Sequence, residues 1–74
     1  MYYFDFHDRG GDTVDDTGLE LPSVELAESE ALDALGDLLR EHTLQRPEDR
    51  IEIEVRNEAG TVFCLSAVVR LQKA

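Results

Sequence analysis

Apolar residues recur at Val24, Ala27, Ala31, Ala34, Leu35 and Leu38, the spacing of one face of a 3.6-residue period. No other stretch of the chain keeps that period for as long, so the pattern predicts a helix within residues 23–43. Ser23 is its expected N-cap, because its hydroxyl can accept from an unpaired N–H of the first turn, and Pro22 discourages an earlier start. Pro47 ends the helix soon after Gln45. Glu25, Glu30, Asp33, Asp37 and Arg40 fall on the solvent side of the helical wheel. Leu32 and Leu39 fall on a flank with Ser29 and Gly36, a narrow strip of small and apolar residues. A mid-helix glycine costs about 1 kcal/mol relative to alanine. Either the close approach of another backbone or simple tolerance accounts for Gly36.

The remaining segments alternate as strands do. Tyr2, Phe4 and Phe6 share one face of residues 2–7, while Tyr3, Asp5 and His7 share the other. Residues 8–12 read as a turn or loop. Asp15-Asp16-Thr17-Gly18 has the composition of a type I turn followed by a glycine at positive φ. Leu19-Glu20-Leu21 reads equally as a short strand or a loop, its leucines covering one end of the core. After a loop at residues 46–49, residues 50–56 form the clearest strand, with Ile51, Ile53 and Val55 inward and Glu52, Glu54 and Arg56 outward.

Asn57-Glu58-Ala59-Gly60 signals a hairpin whose glycine forms a bulge. The register that follows sets Arg56 against Val62, Val55 against Phe63, Ile53 against Leu65 and Ile51 against Ala67. Directly opposed residues share a face, so Val62, Cys64, Ser66 and Val68 point away from the core. Residues 72–74 are a frayed end. The expected architecture is a single α+β domain over residues 1–74, ββαββ, with one helix packed on one face of an antiparallel sheet.

Size changes this picture. For 74 residues, an ordering cost of roughly 1.5 kcal/mol per residue nearly cancels what burial returns. Chains this small commonly add a disulfide, a metal or a partner. One cysteine excludes an internal disulfide. His7, His42 and Cys64 lie far apart and lack zinc-ligand spacing. A second copy of the chain is the remaining route, so a homodimer is expected. Two surfaces are candidates for its interface: the Ser29, Leu32, Gly36, Leu39 strip, and the half-apolar sheet face bearing Tyr3, Val62, Cys64 and Val68.

Charge adds a second element. The net charge is −10, and residues 1–41 carry all of it, with twelve acids against Arg9 and Arg40. Nucleic acid and anionic membrane surfaces require a basic footprint that this chain lacks. The acidic surface is either a solvated face or a docking surface for a basic protein. With no signal-like start, no membrane-length apolar run and one free thiol, a cytoplasmic location is expected.

No catalytic, cofactor-binding or metal-binding residues are expected. Asp12, Asp15 and Asp16 only loosely resemble part of a calcium loop and lack its ligand order and closing Glu. Gly10-Gly11 has no following Lys or helix start to cradle a phosphate. Ser23, Ser29 and Ser66 have no local His or Asp, and nothing near Cys64 marks an activated thiolate. The chain therefore reads as a non-enzyme.

Tyr3-Phe4-Asp5-Phe6, Asp15-Asp16-Thr17-Gly18-Leu19-Glu20-Leu21-Pro22, the Ala27, Ala31, Ala34 helix and Glu54-Val55-Arg56-Asn57-Glu58-Ala59-Gly60 with Val62 follow one another in order. Together they resemble a family of short uncharacterised bacterial proteins that read Y-F-F-D, D-x-x-G-x-E-L-P, A-x-x-E-A and V-x-D-E-x-G-x-V. The resemblance spans nearly the whole chain and departs after Val62, where Ala67 stands near the position of a usual Pro. It implies a fold and no activity. The layout also resembles, more weakly, the HicB-like antitoxin domain, which blocks a small basic RNase, although no specific antitoxin motif carries over. The function expected is a self-associating, non-catalytic acidic interaction module. The alternative is a regulatory, antitoxin-like protein that binds a basic partner.

Overall fold

The computed structural model describes residues 1–8, 10–41 and 48–74. Its elements are β1 (Tyr3–Asp8), β2 (Gly11–Thr13), α1 (Val24–Glu41), β3 (Glu48–Asn57) and β4 (Gly60–Arg70). The strands form one antiparallel sheet in the order β2-β1-β3-β4. This is the α+β, ββαββ arrangement that the alternation and the single helical stripe predict.

The helix begins where its cap chemistry places it: the Ser23 hydroxyl accepts from the Leu26 N–H at 3.2 Å. Ala27, Ala31 and Leu35 are buried against Phe4, Ile51, Ile53 and Val55, with Ala34 and Leu38 packed beside them. Alanines on the inner face bring the helix close to the sheet, and the β-branched residues of β3 fill the space beneath. The expected end of the helix near Thr43, His42 and the first half of the loop expected at residues 46–49 lie outside the described residues, whereas Glu48 and Asp49, the second half of that loop, already belong to β3, opposite Arg70 and Val69.

Phe4 and Phe6 stand opposite Val55 and Ile53, while Tyr3, Asp5 and His7 stand opposite Arg56, Glu54 and Glu52. Both faces of β1 are therefore as the alternation predicts. In the hairpin, Val55 meets Phe63, Ile53 meets Leu65 and Ile51 meets Ala67.

Two further expectations need correction. Arg56 pairs with Thr61 rather than Val62, because the register shifts between Val55 and Arg56 and leaves Val62 as the extra residue of a bulge. The second strand is Gly11–Thr13, inside and just after the stretch read as a loop. Leu19 makes only an isolated bridge to Tyr2, so residues 19–21 are not a strand. Gly11-Asp12-Thr13 has no apolar alternation to betray it; pairing with the end of β1 makes it a strand.

Candidate functional site

β2 pairs only with Phe6–Asp8, so the other half of that β1 edge needs a different partner. The loop at residues 15–19 supplies it. The Asp15 carboxylate accepts from Phe4 N–H at 3.1 Å and, through its second oxygen, from Thr17 and Gly18 N–H at 2.9 and 3.0 Å. Asp15 N–H donates in turn to the Asp5 carboxylate at 2.9 Å. Tyr2 and Leu19 close the loop with two reciprocal backbone bonds. Gly18 sits at φ +79°, and a Cβ there would lie 2.8 Å from the Tyr3 ring, so both conformation and space require glycine.

Arg56 joins this loop to β3. Its Nε donates to Asp5 at 2.8 Å, its Nη2 donates to the Asp15 carbonyl at 2.8 Å, and its guanidinium lies 4.6 Å from the centre of the Tyr3 ring. Asp5 is only 6 % exposed. Burial pushes its carboxyl up, but the Arg56 hydrogen bond, the Asp15 N–H and the Arg56 charge together outweigh that and hold it below the usual value. Asp15 is also held low, first by the Gly18 N–H, then against burial by Thr17, Phe4 and Arg56. Among the described residues no buried side-chain nitrogen or oxygen lacks a partner, those of the cluster included. The chemistry of the cluster is that of a clamp.

Two surfaces remain open. At one end of the sheet, β4 is an edge strand of eleven residues with no proline and only one charged side chain, Arg70. Beside it, Leu32 and Glu28 of α1 and Phe63, Cys64 and Leu65 of β4 line a groove of about 370 Å³. Leu32 is 61 % exposed. At the other end, α1 packs chiefly over β3 and β4 and leaves Phe4 and Phe6 flooring a groove of about 460 Å³, with Val14, Leu19 and Ala34 along its walls.

The expected interface residues are distributed unevenly between these features. Leu32 and Cys64 come together in the β4 groove. Ser29 is exposed, and Gly36 and Leu39 follow Leu32 along its flank. Among the described residues no other backbone approaches Gly36; an added Cβ would meet only the Arg40 side chain at 3.9 Å. Val62 and Val68 are exposed on β4. Tyr3 lies apart from them, beneath Arg56, because β3 interposes Glu52 and Glu54 opposite Ser66 and Cys64. The Cys64 thiol is pushed up by partial desolvation and by those two carboxylates, which disfavours its thiolate.

The model of a domain of unknown function, DUF6894, matches residues 1–68. The chain belongs to this family. No curated protein and no solved structure matches it. Tyr3, Asp5, Asp15 and Gly18, which carry the family resemblance in sequence, are the residues that meet in the clamp of this DUF6894 domain. The sequence pattern places them on turns and strand faces but does not disclose that they meet, since only the pairing of β1 with β3 brings Arg56 to them. No described helix is long and apolar enough to cross a membrane. Among the described residues, no three His, Cys, Asp or Glu side chains are grouped to hold a metal ion.

His7 links three strands of the DUF6894 domain: Nδ1 lies 2.9 Å from Asp12 on β2 and Nε2 3.4 Å from Glu54 on β3. The Asp12 bond, opposed by desolvation and aided by Glu54, raises its pKa. A raised folded value means the stabilisation is complete below the ordinary histidine range and fades as pH rises through the folded value. The midpoint of thermal unfolding is therefore expected to fall as pH climbs from about 6 to 8. His7→Gln should flatten that slope, and an unchanged slope would exclude His7 as its source.

Proposed function

We propose that the chain is a non-catalytic acidic interaction module that pairs with a second copy of itself along β4. The observation that carries this reading is the unprotected edge. Exposed edges are ordinarily blunted by charge, proline or shortness. β2 is blunted by its three residues, whereas β4 has eleven residues and one terminal charge.

Geometry supports a two-fold axis perpendicular to the sheet. Pairing β4 with its copy continues the sheet, and strands are about 4.8 Å apart. Because α1 lies over β3 and β4, the two helices then stand about 10 Å apart, the ordinary spacing of packed helices. Their Leu32 flanks face each other, and the uncrowded Gly36 admits a close crossing. One axis thus engages the Leu32 flank and sets the Val62, Cys64 and Val68 side of β4 beside its copy on the outer face, while Tyr3 stays apart.

Light scattering behind gel filtration tests the reading. A dimer in roughly the micromolar range is expected, with Leu32→Lys and Val62→Lys, both at exposed positions, each raising the dissociation constant about tenfold or more. A monomer at high-micromolar concentration, indifferent to both substitutions, removes it.

A second reading is favoured by the charge distribution. The −10 of residues 1–41 suits a regulatory, antitoxin-like protein that binds a basic protein, and a cytoplasmic setting fits its single thiol. Pull-down at low and high salt tests this: capture that weakens as salt rises supports it, and salt-indifferent capture counts against it.

A further inference from the structure

We propose that the groove between α1 and the β1–β2 end of the sheet binds a basic segment of a partner protein by taking in one apolar side chain of that segment. The proposal rests on the second reading above and adds a place and a recognition chemistry to it.

The groove is apolar at its base and acidic at its rim. Phe4 and Phe6 form the floor, Ala34 the helix wall and Val14 and Leu19 the opposite wall, around about 460 Å³. Val14 is 65 % exposed and Leu19 40 % exposed. Burial does not hold these two side chains at the mouth. The backbone carrying them is held by the Asp15 bonds to Phe4, Thr17 and Gly18 and by the Tyr2–Leu19 bridge. The groove is therefore formed before anything enters it, which spares a ligand the cost of ordering the loop.

Charge selects the occupant. Asp16 and Glu30, both exposed, stand on opposite sides of the mouth, and no Lys or Arg is among the described residues that line it. Every element around the groove belongs to residues 1–41, which hold the whole net charge. That field attracts cations and repels acidic chains, while the floor of two phenylalanines favours an aromatic or leucine anchor. An apolar anchor flanked by Lys or Arg satisfies both requirements. The groove also lies at the opposite end of the sheet from β4, so pairing of two copies leaves it open.

The test uses the ¹⁵N-labelled full chain and three synthetic peptides: a Lys/Arg-rich peptide with one central Phe, the same peptide with Gly in place of Phe, and one with Glu in place of every base. The Phe peptide is expected to shift the amides of Val14, Leu19 and Ala34. The Gly peptide should bind about tenfold more weakly or worse, and the acidic peptide should not bind. The Asp16→Lys/Glu30→Lys double variant should weaken the Phe peptide similarly. Val14→Ser should weaken it without changing charge, and the amide spectrum of each variant verifies its fold. Equal binding of the Phe and Gly peptides, with salt-sensitive shifts spread along α1, overturns the groove but leaves a general acidic docking surface standing. Binding of neither basic peptide overturns both. Phenethylamine binding as tightly as the Phe peptide assigns the groove to small cations and overturns the proposal.

Discussion

Asp15→Ala is expected to lower stability by about 3 kcal/mol, a large part of what a domain of this size possesses. The Asp15 carboxylate accepts three backbone N–H groups, from Phe4, Thr17 and Gly18. A hydrogen bond to a charged group contributes about 1.5–3 kcal/mol. The three are not additive, and the site is only part-buried, so the lower end of each applies. Against this, a small domain at roughly 0.1 kcal/mol per residue has only about 7 kcal/mol in all. The loss also frees the loop that stands in for a strand along β1, so the Asp15 N–H and carbonyl that satisfy Asp5 and Arg56 are no longer held in place. Urea unfolding of Asp15→Ala and Asp15→Asn measures the effect, with the amide recovering part of it. Because Asp15 and Asp5 are both held below the ordinary carboxylate value, their contribution is complete above about pH 4. It is lost as pH falls through the lower folded values. The acid limb of the stability profile should flatten in Asp15→Ala. Wild-type stability in that variant would mean that the clamp does not hold the loop.

The features legible in the sequence are those that short-range chemistry decides. Ser23 caps its own helix through Leu26, and the Asn57–Gly60 turn sets most of the register that follows it. The inner faces of β1 and β3 follow from period-two alternation, and the inner stripe of α1 follows from period 3.6. What escaped depends on partners distant in the chain. β2 has three residues, none apolar, and exists because β1 offers it an edge. Arg56 reads as one more outward charge until β3 is known to lie beside β1, which brings it against Asp5 fifty-one positions away. The candidate interface divides in the same way. The Leu32 flank is readable from the helical wheel alone. Placing Tyr3 with Val62, Cys64 and Val68 requires a strand order the sequence does not disclose, and β3 separates them. The groove over Phe4 and Phe6 was not legible, since it arises from where the helix crosses the sheet.

Ile53→Ala should cost about 3–4 kcal/mol and make folding visibly dependent on protein concentration. Ile53 is fully buried at the centre of β3, flanked by Phe6 on β1 and Leu65 on β4. Removing its outer carbons forfeits both transfer energy and packing, and the penalty grows with the cavity that remains. The inner face of the helix carries Ala27 and Ala31, side chains with no reach to fill a void, so little relaxation offsets the loss. A domain so weakened sits near its unfolding threshold, where coupling to assembly is easiest to see. If two copies pair along β4, mass action stabilises the folded state by about 2.7 kcal/mol at a concentration a hundredfold above the dissociation constant. The thermal midpoint of Ile53→Ala should therefore rise steeply across a dilution series of that span. In Ile53→Ala/Leu32→Lys the midpoint should stay low throughout, since Leu32 lines the β4 groove and touches the core little. A low midpoint indifferent to concentration in both variants would keep the packing argument and eliminate the pairing. A midpoint close to wild type would mean that the sheet closes around the lost side chain, and that the core is softer than its alanine-lined helix implies.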